Sequence, residues 1–162
     1  MKNISNRLKR VTTLNVASPT ESSRYRASWY GLGGWTGAHS DVYGISQGKE
    51  VDERFRDMSS SGDYIMSVLI WVNNVKYGGA TFFSSPESYD VVTPSRGSAF
   101  FWVSTKSSGE NDEHQVHGGC PICKGSKFVI GKWIYNFDNW RTIPCGLHQD
   151  SDINLNILPN HN

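Results

Sequence analysis

Tyr64-Ile-Met-Ser-Val-Leu-Ile-Trp-Val72 is a continuous apolar run of strand length, ended by Asn73-Asn74 and then by Gly78-Gly79. An uninterrupted run of this length, rich in β-branched and aromatic side chains, reads as a strand buried on both faces and central in its sheet. Working outward, Ala80-Thr-Phe-Phe83, Tyr89-Asp-Val-Val92, Ser98-Ala-Phe-Phe-Trp-Val103 and Phe128-Val-Ile-Gly-Lys-Trp-Ile-Tyr135 are further short strands separated by turn residues. Such spacing predicts a mainly β domain, a sandwich or jelly roll. Toward the N-terminus the pattern changes. Ile4, Leu8 and Val11 recur at helical spacing, and Ser18-Pro19-Thr20-Glu21 has the cap, the first-turn proline and the acid that start a second short helix. The polar segment from Ser46 to Gly62 reads as a mobile loop, and the tail after Cys145 carries no pattern. The chain divides into a helical lead-in over 1–28, a β core over 29–145 and a C-terminal tail over 146–162.

With 162 residues there is room for one domain with a substantial core. Sixteen Lys and Arg against 15 Asp and Glu give a net charge of +1, which argues against nucleic acid or an anionic membrane as the main partner. No apolar run approaches the length of a membrane span, and Met1-Lys-Asn-Ile-Ser-Asn-Arg-Leu-Lys-Arg10 has the charges but not the apolar stretch of a secretory signal.

Two imidazoles and a carboxylate form a facial ligand set for a non-haem ferrous ion, and His39-Ser40-Asp41 with the distant His117 supplies that set. On a strand, His39 and Asp41 would point to the same face. The H-x-D triplet alone arises in many unrelated proteins. Lys127 sharpens the reading, because a buried cation suits the far carboxylate of an oxo-acid cosubstrate such as 2-oxoglutarate. Cys120, Cys123 and Cys145 are too few for a disulfide scaffold, and Cys120-Pro-Ile-Cys123 fits either redox or zinc chemistry. His114, His117, Cys120 and Cys123 offer an alternative zinc cluster.

Taken in order, Tyr30-Gly-Leu-Gly-Gly-Trp-Thr-Gly-Ala-His39-Ser-Asp41, Gly78-Gly-Ala-Thr-Phe-Phe83, Pro94-Ser-Arg-Gly-Ser-Ala-Phe-Phe-Trp102, Ser108-Gly-Glu-Asn-Asp112, His117-Gly-Gly-Cys-Pro121, Lys127 and Lys132-Trp133 resemble the catalytic domain of the collagen prolyl 4-hydroxylase α subunit. The resemblance runs from about Ile4 to Cys145. It implies an iron- and 2-oxoglutarate-dependent dioxygenase with a double-stranded β-helix core. It implies iron ligation by His39, Asp41 and His117, cosubstrate binding by Lys127 with help from Tyr30 and Thr81, and peptide contacts by Trp133 and Tyr64. It also implies L-ascorbate as reductant, a Cys120–Cys145 disulfide, and hydroxylation at C4 of proline in collagen-like X-Pro-Gly peptides, with succinate and CO2 as co-products. A protein disulfide isomerase subunit as partner and the endoplasmic reticulum lumen as location follow from it too. Thr36 stands where the family usually has tyrosine, and Tyr64 where the collagen-type enzymes carry arginine, so both bear on peptide preference. The family's first core strands lie upstream of the point where this sequence starts. A jelly roll short of those strands is therefore expected, and an inactive fragment with a binding or regulatory role, or a peptidyl hydroxylase with another substrate, are the alternative readings.

Overall fold

The structure is a computed structural model that describes residues 1–42, 61–85, 87–148, 151 and 153. The expected loop from Ser46 to Gly62 lies, apart from Ser61 and Gly62, outside the described residues, as does most of the tail after His148. Among the described residues, helix α1 (Lys2–Thr12) precedes ten strands: β1 (Arg26–Tyr30), β2 (Thr36–His39), β3 (Tyr64–Trp71), β4 (Tyr77–Gly78), β5 (Thr81–Ser84), β6 (Tyr89–Val92), β7 (Ala99–Val103), β8 (His117–Gly119), β9 (Ile122–Lys124) and β10 (Lys127–Tyr135). They form two antiparallel four-stranded sheets, in the orders β1-β10-β3-β7 and β2-β8-β5-β6, with β4 and β9 as a separate ribbon. Two such sheets packed face to face make the jelly roll that the strand spacing predicts.

The apolar run is central as expected, since β3 pairs with β10 on one side and β7 on the other. Its two faces meet different things. Met66 and Val68, with Ile134 of β10, pack in a core with Leu8 of α1 and with Leu14 and Val16 of the segment that follows the helix. Met66, Leu14 and Ile134 are fully buried, and each such side chain removed from water stabilises by about 1.5–3 kcal/mol. The opposite face of β10 follows the two-residue period of a strand: Lys127, Val129, Gly131 and Trp133 line a cavity between the sheets, joined by Arg26, Ser28 and Tyr30 of β1. Phe83 of β5 meets Phe100 and Trp102 of β7 across the gap, with ring centroids 5.4 and 5.3 Å apart, and so ties the sheets together.

Two local expectations are corrected. The α1 face continues from Leu8 to Thr12, which is fully buried, while Val11 is 39% exposed. Thr12 tolerates burial because its hydroxyl donates to the Leu8 carbonyl at 2.8 Å and accepts from the Leu14 N–H at 3.2 Å. The second helix does not form. Glu21 Oε2 does accept from the Ser18 N–H at 2.7 Å, as a capping box requires, but the chain makes a single turn. Ser22 is then drawn into a bridge with Ile134, and tertiary pairing overrides the local helix signal. Among the described residues no helix is long and apolar enough to cross a membrane.

Candidate metal and cosubstrate site

β2 pairs with β8, and His39 stands directly opposite His117. Their rings lie 4.5 Å apart, centroid to centroid. The geometry at the two imidazoles is the same: His39 Nδ1 is 2.8 Å from the Gly37 carbonyl, and His117 Nδ1 is 2.9 Å from the Gln115 carbonyl. A carbonyl only accepts, so each Nδ1 carries the proton and each Nε2 presents its lone pair inward. Both Nε2 atoms face the same carboxylate. Asp41 Oδ1 lies 3.7 Å from His39 Nε2, and Asp41 Oδ2 lies 3.5 Å from His117 Nε2.

One ligand atom from each of the three residues falls within 4.8 Å of the others, and this is the one such group among the described residues. Two neutral imidazole nitrogens and one carboxylate are a donor set that fits ferrous iron with coordination positions left over. Asp41 does not reach this point along a strand as expected. β2 ends at His39, and Asp41 sits in the bend beyond it, directed by side-chain contacts instead.

The charges are arranged for ligation. Burial alone would push the Asp41 carboxyl up, but the nearby His39 ring, the Ser67 hydroxyl, the adjacent His117 and the Trp133 side chain together hold it below its ordinary range, so it is ionised. Burial pushes His117 down, against the pull of the Gln115 carbonyl and Asp41, and keeps the ring neutral. His39, more open to solvent, is raised by the neighbouring Asp41 carboxylate, against the opposing effect of burial.

Lys127 lies at the first position of β10, paired with Tyr30 of β1. It is 5% exposed, and burial pushes its ammonium down, with Cys120 opposing the shift. Its Nζ donates to Thr81 Oγ1 at 3.4 Å and lies 5.8 Å from the centre of the Tyr30 ring, whose hydroxyl accepts from Thr36 at 3.2 Å. No carboxylate among the described residues pairs with it. A buried ammonium without an anion is costly, and a carboxylate ligand would relieve that cost. His39, Asp41, His117, Thr81, Tyr30, Lys127 and Trp133 thus all line one cavity of about 210 Å³.

Other expected residues are placed elsewhere. Tyr64 is not among the cavity residues; it stacks on Tyr135 at 5.3 Å, with Trp133 at 6.1 Å. The expected Cys120–Cys145 bridge is absent, and all three cysteines are free thiols. Cys120 is held in the sheet layer by its N–H bond to the Ala80 carbonyl, whereas Cys145 lines a different cavity with Thr105, Asn139 and Trp140. The zinc alternative does not assemble: His114 turns to Asp112 and Glu87 at 2.9 and 3.0 Å, and Cys123 is exposed. Two residues at the site escaped the sequence reading. Trp102 packs edge-on to His117 at 4.6 Å, and Ser67 donates to Asp41 Oδ2 at 2.5 Å. Ser67 interrupts the apolar run of β3, but nothing in the sequence names Asp41 as its partner.

Two antiparallel sheets facing each other over a His-Asp-His group, with a buried lysine in the same cavity, define a jelly-roll oxygenase. Residues 23–135 match the 2OG-Fe(II) oxygenase superfamily, and the chain belongs to that family. The family implies Fe(II) as the metal and 2-oxoglutarate as the cosubstrate. Over 152 residues the chain is 32% identical to prolyl 4-hydroxylase subunit alpha-2 of Caenorhabditis elegans, covering 94% of this chain and 26% of that one. Over 146 residues it is 32% identical to subunit alpha-1 of Homo sapiens, covering 90% of this chain and 26% of that one. The chain therefore spans about a quarter of the length of these relatives. Among solved structures, a viral collagen prolyl hydroxylase from Paramecium Bursaria Chlorella virus-1 superposes with a TM-score of 0.52 at 15% identity, over 83% of this chain and 67% of that one. A Pseudomonas putida prolyl-4-hydroxylase gives a TM-score of 0.50 at 13% identity, over 83% and 60%. These two likenesses speak for the fold alone.

Proposed function

We propose that this chain is a prolyl 4-hydroxylase that acts on X-Pro-Gly peptides, inserting one oxygen atom of O2 at C4 of proline while 2-oxoglutarate is converted to succinate and CO2. Fe(II), held by His39, Asp41 and His117, supplies the oxidising chemistry together with the cosubstrate when both are bound. The chain's own residues bind, orient and exclude water. Lys127 pairs with the distal carboxylate of 2-oxoglutarate, and Thr81 and Tyr30 hold the ammonium in place; a charge-assisted bond in a buried site is both strong and directional. Phe83 and Trp102 wall the histidine side of the site with apolar surface and keep solvent from it.

For the peptide, Trp133 lines the cavity and the Tyr64–Tyr135 stack lies beside it, flat surfaces suited to a polyproline-like chain that has no internal hydrogen bonds. L-ascorbate as reductant and a protein disulfide isomerase subunit as partner belong to the same proposal, supported by the likeness to prolyl 4-hydroxylase α subunits.

The observation that carries this reading is Lys127: a buried ammonium bonded to Thr81, in one cavity with the three ligands. The test is anaerobic loading with Fe(II) and 2-oxoglutarate, then addition of O2 and a Pro-Pro-Gly repeat peptide. Succinate formed in step with 4-hydroxyproline is the expected result. Folded, iron-loaded protein that binds 2-oxoglutarate but leaves every proline peptide unmodified would overturn the substrate assignment. Binding of 2-oxoglutarate unchanged in Lys127→Ala would overturn the role of the lysine.

A further inference from the structure

β3 is apolar along its length except at Ser67 and the tyrosine that opens it. Ser67 is 2% exposed, and its Oγ lies 2.5 Å from Asp41 Oδ2. Behind it stands Ser104, 1% exposed, with Oγ 3.3 Å from that of Ser67. Buried hydroxyls are costly unless they are hydrogen-bonded. Each serine has one proton to give, and an ionised carboxylate can only accept. The Ser67 proton is therefore committed to Asp41, and the Ser67 oxygen is left to accept the proton of Ser104. The two hydroxyls form a chain of fixed direction, from Ser104 through Ser67 to the carboxylate.

The three ligands differ in how they are aimed. His39 and His117 are each tied by Nδ1 to the carbonyl two residues earlier in the chain. Asp41 lies beyond the end of β2 and has no such tie; its hydroxyl contact crosses to the opposite sheet. We infer that Ser67, backed by Ser104, is a positioning residue that engages Asp41 Oδ2 and so fixes the carboxylate with Oδ1 offered to the metal. The inference rests on the reading that His39, Asp41 and His117 hold a divalent ion. Hydrogen-bonding partners behind metal ligands fix ligand orientation, and removing one weakens metal binding by about 10- to 100-fold.

The test uses the full chain with Mn²⁺ as a redox-stable probe, titrated by the EPR signal of the free ion, and Co²⁺ for its visible spectrum. Ser67→Ala should bind Mn²⁺ about tenfold or more weaker and show an altered Co²⁺ spectrum. Ser67→Thr, which keeps the hydroxyl, should restore both, and Ser104→Ala should show a smaller loss. Native protein that binds no Mn²⁺, or Asp41→Ala that binds it like the native chain, overturns the reading of the site and the inference with it. Native binding that depends on Asp41 but is undiminished in Ser67→Ala overturns the inference alone. Equal loss in Ser67→Thr and Ser67→Ala also overturns it, because packing and not the hydroxyl would then be at work. Where Ser67→Ala does not fold, Ser104→Ala decides: an unchanged Co²⁺ spectrum overturns the chain of hydroxyls.

Discussion

The two sheets of this jelly roll differ in kind. One is built on long strands, the eight residues of β3 and the nine of β10, which pair in continuous register from Val129 to Ile134. The other presents the two histidines from β2 and β8, of four and three residues, whose register slips between Thr36 and His39. The long sheet buries Met66, Val68 and Ile134 beneath α1, while the short one carries both histidines on strands with almost no apolar content. Stability resides mainly in the first and metal chemistry in the second. The long sheet contributes to the cavity mainly through the alternate residues of its inner face, above all Lys127 and Ser67.

That division can be broken by substitution. Asp41→Ala or His117→Ala is expected to reduce 2-oxoglutarate turnover to background and abolish Mn²⁺ binding, while thermal unfolding moves by only a few degrees; a collapse of the melting transition would show that the short sheet also carries stability. Ile134→Ala should do the reverse. Emptying a fully buried site costs about 2–5 kcal/mol, at roughly 2–4 °C per kcal/mol for a chain of this size, with metal affinity retained in the fraction that stays folded. Calorimetry alongside metal titration separates the two outcomes.

Lys127→Ala should weaken 2-oxoglutarate binding by about 10- to 100-fold, in line with roughly 1.5–3 kcal/mol for a hydrogen bond to a charged group, and leave Mn²⁺ binding intact. The same lysine gives a pH signature. Its pKa in the folded chain lies below the ordinary 10.5 because burial disfavours the charged form. Between that lowered value and the unfolded one, the unfolded state holds more protons, so stability of the ligand-free protein rises with pH across this alkaline window. Affinity for 2-oxoglutarate should fall over the same window, since it requires the ammonium. Affinity that holds level to above 10.5 would show that Lys127 is not its partner. The smallest effect expected is that of Thr81→Val, a loss of about 1 kcal/mol or a few-fold in the same titration, because Lys127 keeps its place on β10.

The apolar strands were the legible ones. β3, β7 and β10 of the long sheet and β5 and β6 of the short one announced themselves as apolar runs, and the core followed from them. β8 and β9 did not, because His117-Gly-Gly119 and Ile122-Cys-Lys124 have no alternation to read: their residues answer to close approach and to ligands. A Cβ on Gly118 would lie 2.5 Å from the Phe82 ring and 2.8 Å from the Thr36 carbonyl, so glycine is imposed there by the neighbouring strands. β1 was missed for a related reason, since Arg26, Ser28 and Tyr30 turn polar groups toward a cavity where a core strand would show apolar ones. Of the site, residue types and order sufficed to name His39, Asp41, His117 and Lys127 together. Ser67 needed the fold, because nothing local connects a serine on β3 with an aspartate past the end of β2.

The bond from each histidine ring to the carbonyl two residues before it has a consequence for design. In Gly37 to His39 and in Gln115 to His117, three successive residues contain both the ligand and the group that sets its tautomer and tilt. Such a tripeptide is a self-aiming cassette: transplanted onto any antiparallel pair that brings two copies face to face, it would deliver two inward-pointing nitrogens, and the host scaffold would have only an acid and its anchor left to provide.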